Sequence, residues 1–374
     1  MKARFSTAAV FVIFVSIVAA LAAGTLAQSE VPNPTRQRVT NPSPSPTPPK
    51  EEETLNSEEV LRVETNLTNV FFTAADKHKR FIATIKREDV RVLEDGVPQG
   101  IFTFQQNIDL PLSLAILIDT SRSEERTLPE EKAAAQAFLE AVMRPQKDEA
   151  AVVSFTGEPT LEQGLTGNVA RLRRAIERVE YVPPSGLIGG GVVVGGTPPI
   201  SDSQQALAGS TAIWDAVYTT SNEIMRDSAE HTRRAVILLT DGQDTSSQVH
   251  MLDAINSAVK VDAMVYAIGI GDRYSYGVDE GSLRKITEAT GGRAYFPRSE
   301  SELRDAFVQI QRDLREQYLI AYSPSNKTRD GSYRRVTIEI TNPELQKQSL
   351  KLTYRPGYFA KSPMSNASKT AQKP

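Results

Sequence analysis

The sequence has no cysteine. That excludes disulfides, thiolate metal sites, cysteine nucleophiles and a lipid-modified cysteine anchor. Histidine is scarce as well. Only His78, His231 and His250 occur, which leaves little material for histidine-based catalysis or zinc binding. No strong charge of one sign is present: the formal net charge is -3, which removes the electrostatic case for nucleic acid. Glycines cluster within 186–197, but no Gly-Lys-Ser/Thr follows them and no G-x-G-x-x-G joins the first buried strand to its helix. Nucleotide binding therefore has no motif to rest on. The G-x-S-x-G turn of a serine hydrolase is missing too.

What is present falls into segments. Residues 1–27 read as an export signal, with Lys2 and Arg4 before an apolar stretch from Ala8 to Ala23 and a small-residue end at Ala27. The stretch is shorter than the ~20 residues of a spanning helix. The alternative is an uncleaved N-terminal membrane anchor. Residues 28–57 are rich in Pro, Ser and Thr and end in charge, a disordered spacer by composition. Residues 58–107 alternate like short strands, with Asp95-Gly96 as a hairpin signal. Residues 317–360 are strand-rich again, with a turn at Asp330-Gly331. Each β piece is too small to stand alone, so the economical expectation is that they pair as one discontinuous β-sandwich. Residues 361–374 read as a frayed tail.

Between them, residues 108–316 alternate strand and helix, the pattern of a doubly wound, Rossmann-like, mostly parallel α/β sheet of six strands. Leu114–Ile118 is apolar and β-branched, as a strand buried on both faces requires. Thr127 with Glu130 has capping-box spacing ahead of the first helix. Thr211 is expected to open a later helix. The fourth strand, AVILL at 235–239, stops at Thr240-Asp241-Gly242. In the 3-2-1-4-5-6 strand order, strands one and four are neighbours and the ligand crevice lies between their carboxyl ends. Asp119 and Asp241 then meet across it. Ser121 and Ser123 follow Asp119 at alternate positions and add hydroxyls on the same side; Thr211 adds a third. Packed carboxylates repel, and either a shared proton or a divalent cation settles the repulsion. Three hydroxyl oxygens favour a hard cation. Asp244 and Asp272 also follow strand ends, as loop residues or helix caps. Trp214 reads as core.

These residues resemble the metal-ion-dependent adhesion site of von Willebrand factor type A domains. The aspartate-x-serine-x-serine element falls on Asp119, Ser121 and Ser123, the threonine on Thr211, and the aspartate-glycine on Asp241-Gly242. The likeness covers roughly residues 110–317. The flanking VLEDGVPQGIFTF, LREQYLIAYSPSN and RPGYF look like exported, often acidobacterial, proteins that carry this domain. The resemblance implies Mg2+ (or Mn2+/Ca2+) at these five residues and noncovalent capture of a protein that offers an acidic side chain. It implies an exported binding protein of the periplasm, cell surface or medium, not an enzyme. Oligomeric state is not implied. Two other readings stand beside it. One is a metal-assisted hydrolase with Asp244 as base. The other is an envelope-assembly protein whose β-sandwich makes the contacts.

Overall fold

The computed structural model describes residues 67–362 apart from 79, 107–108, 182–185, 189–191, 195–209, 230–231 and 272–276. The leader, the spacer, the sequence tail from 363, His231, Asp272 and most of the glycine-rich stretch lie outside the described residues.

Four strands come first: β1 (Thr68–Ala75), β2 (Val90–Glu94), β3 (Val97–Gln99) and β4 (Ile101–Gln106). The Asp95-Gly96 turn joining β2 to β3 has positive φ at both residues, as a tight hairpin of this hand demands. The α/β region follows. It runs β5 (Leu112–Asp119), α1 (Leu128–Val142), β6 (Glu149–Phe155), β7 (Pro159–Thr166), α2 (Val169–Arg178) and a short hairpin, β8 (Gly186–Ile188) with β9 (Val192–Val194). Then come α3 (Ile213–Thr219), β10 (Arg233–Thr240), α4 (Met251–Lys260), β11 (Ala263–Gly269), α5 (Glu280–Thr290), β12 (Ala294–Tyr295) and α6 (Glu300–Arg315). The last elements are β13 (Tyr318–Tyr322), β14 (Tyr333–Ile340), α7 (Pro343–Gln346), β15 (Lys351–Tyr354) and β16 (Gly357–Phe359).

The central sheet has the order β12-β11-β10-β5-β6-β7. All its pairings are parallel except β6 with the edge strand β7. This is the doubly wound order read from the sequence. Every residue of β5 is buried, because helices cover both faces of the sheet. Leu114, Ile116 and Ile118 pack with α1, α2 and α6, while Ala115 and Leu117 face α3, α4 and α5. Each fully buried aliphatic side chain of this kind contributes about 1.5–3 kcal/mol.

The flanking strands form two antiparallel four-stranded sheets, β15-β1-β13-β4 and β16-β14-β2-β3. Both sheets combine strands from before and after the α/β region; they alternate in the first, and in the second β14 pairs with β2. Phe72, Tyr318 and Ile320 of one sheet pack with Val92, Val336 and Ile338 of the other. Buried Glu94 ties the sandwich together by accepting hydrogen bonds from the Tyr322 and Tyr358 hydroxyls at 2.9 and 2.8 Å.

Two local expectations are corrected. The capping box at Thr127 does not form. Thr127 already has helical φ and ψ (-91°, -24°) rather than the extended backbone of a cap, and its hydroxyl donates to the Glu124 carboxylate at 2.6 Å. The helix expected to open at Thr211 begins at Ile213, because the Thr211 backbone is engaged elsewhere. It passes into a π-helical turn over Thr220–Met225, where Ser221 Oγ donates to the Val217 carbonyl at 2.7 Å. The sixth strand is only two residues long.

Candidate metal centre

Strand register places the site. β5 and β10 lie side by side, with Leu239 opposite Ile118. Asp119 is the last residue of β5, and Asp241 is the first after β10. The apolar runs of both strands stop at the same level, so both carboxylates emerge at one crevice.

Asp119 is fully buried. Its Oδ1 accepts from the Ser121 amide at 2.9 Å and its Oδ2 from the Thr240 hydroxyl at 2.6 Å. The second bond crosses from β10 to β5 and fixes the carboxylate. Ser121 and Ser123 hydroxyls lie 3.1 Å apart. Asp241 is also buried. Its Oδ1 accepts from the Gln243 amide at 2.9 Å, and the Ser123 hydroxyl hydrogen-bonds to its carboxylate. Four of the five expected residues are thus drawn together.

Thr211 is held at the same rim through its backbone. Its amide donates to Thr245 Oγ1 at 2.8 Å, and its carbonyl accepts from the Thr245 and Ser246 amides at 2.8 and 3.1 Å. On its other side the Ala212 amide donates to the Thr156 carbonyl at 2.7 Å, just past the end of β6. The segment is laced between the loops that follow β6 and β10.

Two acidic residues were missed by reading the sequence. Glu124, in the 3-10 turn Arg122–Glu124, is fully buried, and so is Glu131 of α1. One carboxylate oxygen each from Asp119, Glu124 and Asp241 lies within 4.8 Å of the others. The Glu124 and Glu131 carboxyl groups lie against each other. The run SRSEERTLPEE looks solvated, which hid them. A signal was available: Glu124, Leu128, Glu131, Ala135 and Phe138 recur at spacings of three and four, and Leu128, Ala135 and Phe138 are core.

Burial pushes the Asp119 carboxyl up to about 7, with nearby Asp241 adding to the rise against the opposing hydrogen bonds from Thr240 and Ser121. Burial raises Asp241 as well, and raises Glu131 to about 7. Glu124 is pushed up by burial and by its acidic neighbours Glu131 and Asp119. Without a cation these groups favour protons. With one, the ionised forms are stabilised, and the set of carboxylate and hydroxyl oxygens is what a hard divalent ion takes. The residues fit such an ion.

Asp244 is a cap. Its Oδ1 accepts from the Ile213 amide at 2.8 Å and from Ser247 Oγ at 2.5 Å, holding the start of α3. Arg122 is exposed, and Trp214 is buried with α4 and the sheet.

Gly242 sets the direction of the chain after Asp241. Its φ is +84°, and a Cβ there would meet the Asp279 carbonyl oxygen and Leu283 Cγ at 3.0 Å. Gly242→Ala should therefore lower stability by about 1–2 kcal/mol. A urea melt reads the loss; an unchanged midpoint would show that the loop adapts freely.

The molecule is thus an open α/β domain with an acidic, hydroxyl-rimmed centre at its topological switch point. Residues 114–243 match the sequence profile of a von Willebrand factor type A domain, and residues 200–309 match a second profile of the same description. The chain carries a von Willebrand factor type A domain. No curated protein matches it by sequence. Among solved structures it is similar to proximal thread matrix protein 1 from the mussel byssus, in a structure with zinc in that protein's metal-ion-dependent adhesion site. Identity is 18%, coverage 60% of this chain and 50% of the mussel chain, and the TM-score 0.44. The chain thus spans about half the length of that relative. It is also similar to BatB from Bacteroides thetaiotaomicron, at 16% identity, 55% and 98% coverage and a TM-score of 0.40. A von Willebrand factor type A protein from Catenulispora acidiphila gives 15% identity, 82% and 76% coverage and a TM-score of 0.43.

Proposed function

We propose that this chain is an exported, noncatalytic binding protein. It captures a protein ligand through a divalent ion held by Asp119, Ser121, Ser123, Thr211 and Asp241. The observation that carries this reading is the convergence of buried Asp119 and Asp241 carboxylates with two serine hydroxyls at the strand-end crevice. A bound ion supplies positive charge that an acidic side chain of the partner can meet. The chain's own residues do the rest. Thr240 and the Ser121 amide orient Asp119, the Gln243 amide orients Asp241, and Thr245 holds the Thr211 segment in place. Engagement of Asp244 in the α3 cap supports the noncatalytic reading, since a general base must be available to its substrate. Export rests on residues 1–27 and the spacer behind them, with the folded part held off a membrane or wall. Among the described residues no helix is long and apolar enough to cross a membrane.

The test is capture of envelope proteins from the source cells by wild-type protein with Mg2+, by wild type with a chelator, and by Asp119→Ala. Capture should require both the ion and Asp119. Equal capture in all three would refute the reading.

A further inference from the structure

We propose that Glu124 is a third carboxylate ligand of the ion, contributed by this chain from the buried side of the centre. This rests on the reading that the centre binds a divalent cation.

Three observations carry it. One oxygen of Glu124 lies within 4.8 Å of an oxygen of Asp119 and of Asp241, so the three carboxylates converge on one small volume. The Glu124 side chain is fully buried, yet its Oε1 meets no hydrogen-bond donor in bonding geometry. Its other oxygen is held by the Thr127 hydroxyl at 2.6 Å. The carboxylate is therefore oriented at one end and unsatisfied at the other. A buried carboxylate oxygen without a donor is costly, and a cation bound between the three groups removes that cost. The Thr127 hydroxyl, which makes no cap bond to α1, belongs to the same arrangement. Glu131 stands behind Glu124, its buried carboxyl against that of Glu124.

Two consequences follow. Three carboxylates hold an ion more firmly than two, so the ion is a resident of the fold rather than a visitor that arrives with the partner. The added ligand is sealed from solvent, so the approach for a partner's acidic group stays with the half-buried rim at Ser123.

Mn2+ is the probe. Calorimetric titration gives its affinity, and water-proton relaxation counts the waters left on the bound ion. Glu124→Gln should bind Mn2+ at least about tenfold more weakly and leave more water on it. Glu124→Asp keeps the charge but retracts the carboxylate; it should also weaken binding. Circular dichroism and urea melts establish that each variant is folded. Unchanged affinity and relaxivity in Glu124→Gln would overturn the proposal, because Glu124 would then be only a partner of Glu131. Wild-type affinity in Glu124→Asp with a loss in Glu124→Gln would overturn it too, since charge alone would account for the effect. If wild-type protein binds no Mn2+, the proposed function fails together with this one. If it binds Mn2+ indifferently to Glu124, only this proposal fails.

Discussion

Asp148→Asn should lower the stability of the fold by about 3 kcal/mol at neutral pH. The carboxylate is fully buried and accepts five hydrogen bonds. They come from the Leu112 amide at the start of β5, from the amide, Nε and Nη2 of Arg144 after α1, and from Arg315 Nη2 at the end of α6. It joins the first central strand to helices on one face of the sheet. Removing one partner of a buried ion pair costs about 3–5 kcal/mol. The lower end applies here because both guanidinium groups keep some contact with water. Burial pushes the Asp148 carboxyl up, but the bonds from Arg144 and Arg315 prevail and hold it well below the usual carboxylate range. A depressed carboxylate stabilises the fold above its unfolded value, about 3.9, and loses that contribution as pH falls through the folded value. The gap between wild type and Asp148→Asn should therefore be constant above about pH 5 and shrink below pH 4. Urea melts across this range measure it. A gap that persists unchanged at pH 3 would mean that packing, not the ion pairs, is lost.

The second large effect is linked to the cation. Saturating Mg2+ or Mn2+ should raise the melting temperature of wild-type protein, since an ion at about 100 times its dissociation constant adds about 2.7 kcal/mol. For a folded region of this size that is roughly 4–5 °C. The pH dependence has a definite sign. Asp119 and Glu131 are both raised to about 7, so the ion-free fold binds more protons than the unfolded chain between about pH 4 and 7. Ion-free stability then declines as pH rises through that window. The ion must displace those protons, so its stabilising effect should be small at pH 5 and large at pH 8. Asp119→Asn should remove the effect at every pH. A thermal shift equal in the variant and the wild type would place the ion elsewhere.

Much of this was legible in the sequence. The alternation of apolar runs with helical segments indicated a doubly wound sheet, because a buried parallel strand needs an unbroken apolar run and a crossover helix after it, and the common order of such sheets is the one found. The points where those runs stop, at Asp119 and Thr240-Asp241, located the crevice. What was not legible came from burial of charge. Glu124 and Glu131 sit in a run that a composition-based reading assigns to solvent; their spacing with Leu128, Ala135 and Phe138 was the one cue that the turn before α1 and α1 itself carry them inward. Thr127 has the spacing of a capping residue, yet spacing cannot show that its backbone is already helical and its hydroxyl turned to Glu124. Thr211 reads as a helix start until the pairing of its backbone with Thr245 and Ser246 is seen. For Thr211 a long-range contact overrides a local preference.

The most direct test is anomalous diffraction from crystals grown with Mn2+. The account predicts a single strong Mn2+ peak bounded by the carboxylates of Asp119 and Asp241, absent from crystals of Asp119→Asn. A peak elsewhere on the chain, with both carboxylates free of metal in well-ordered density, would contradict it.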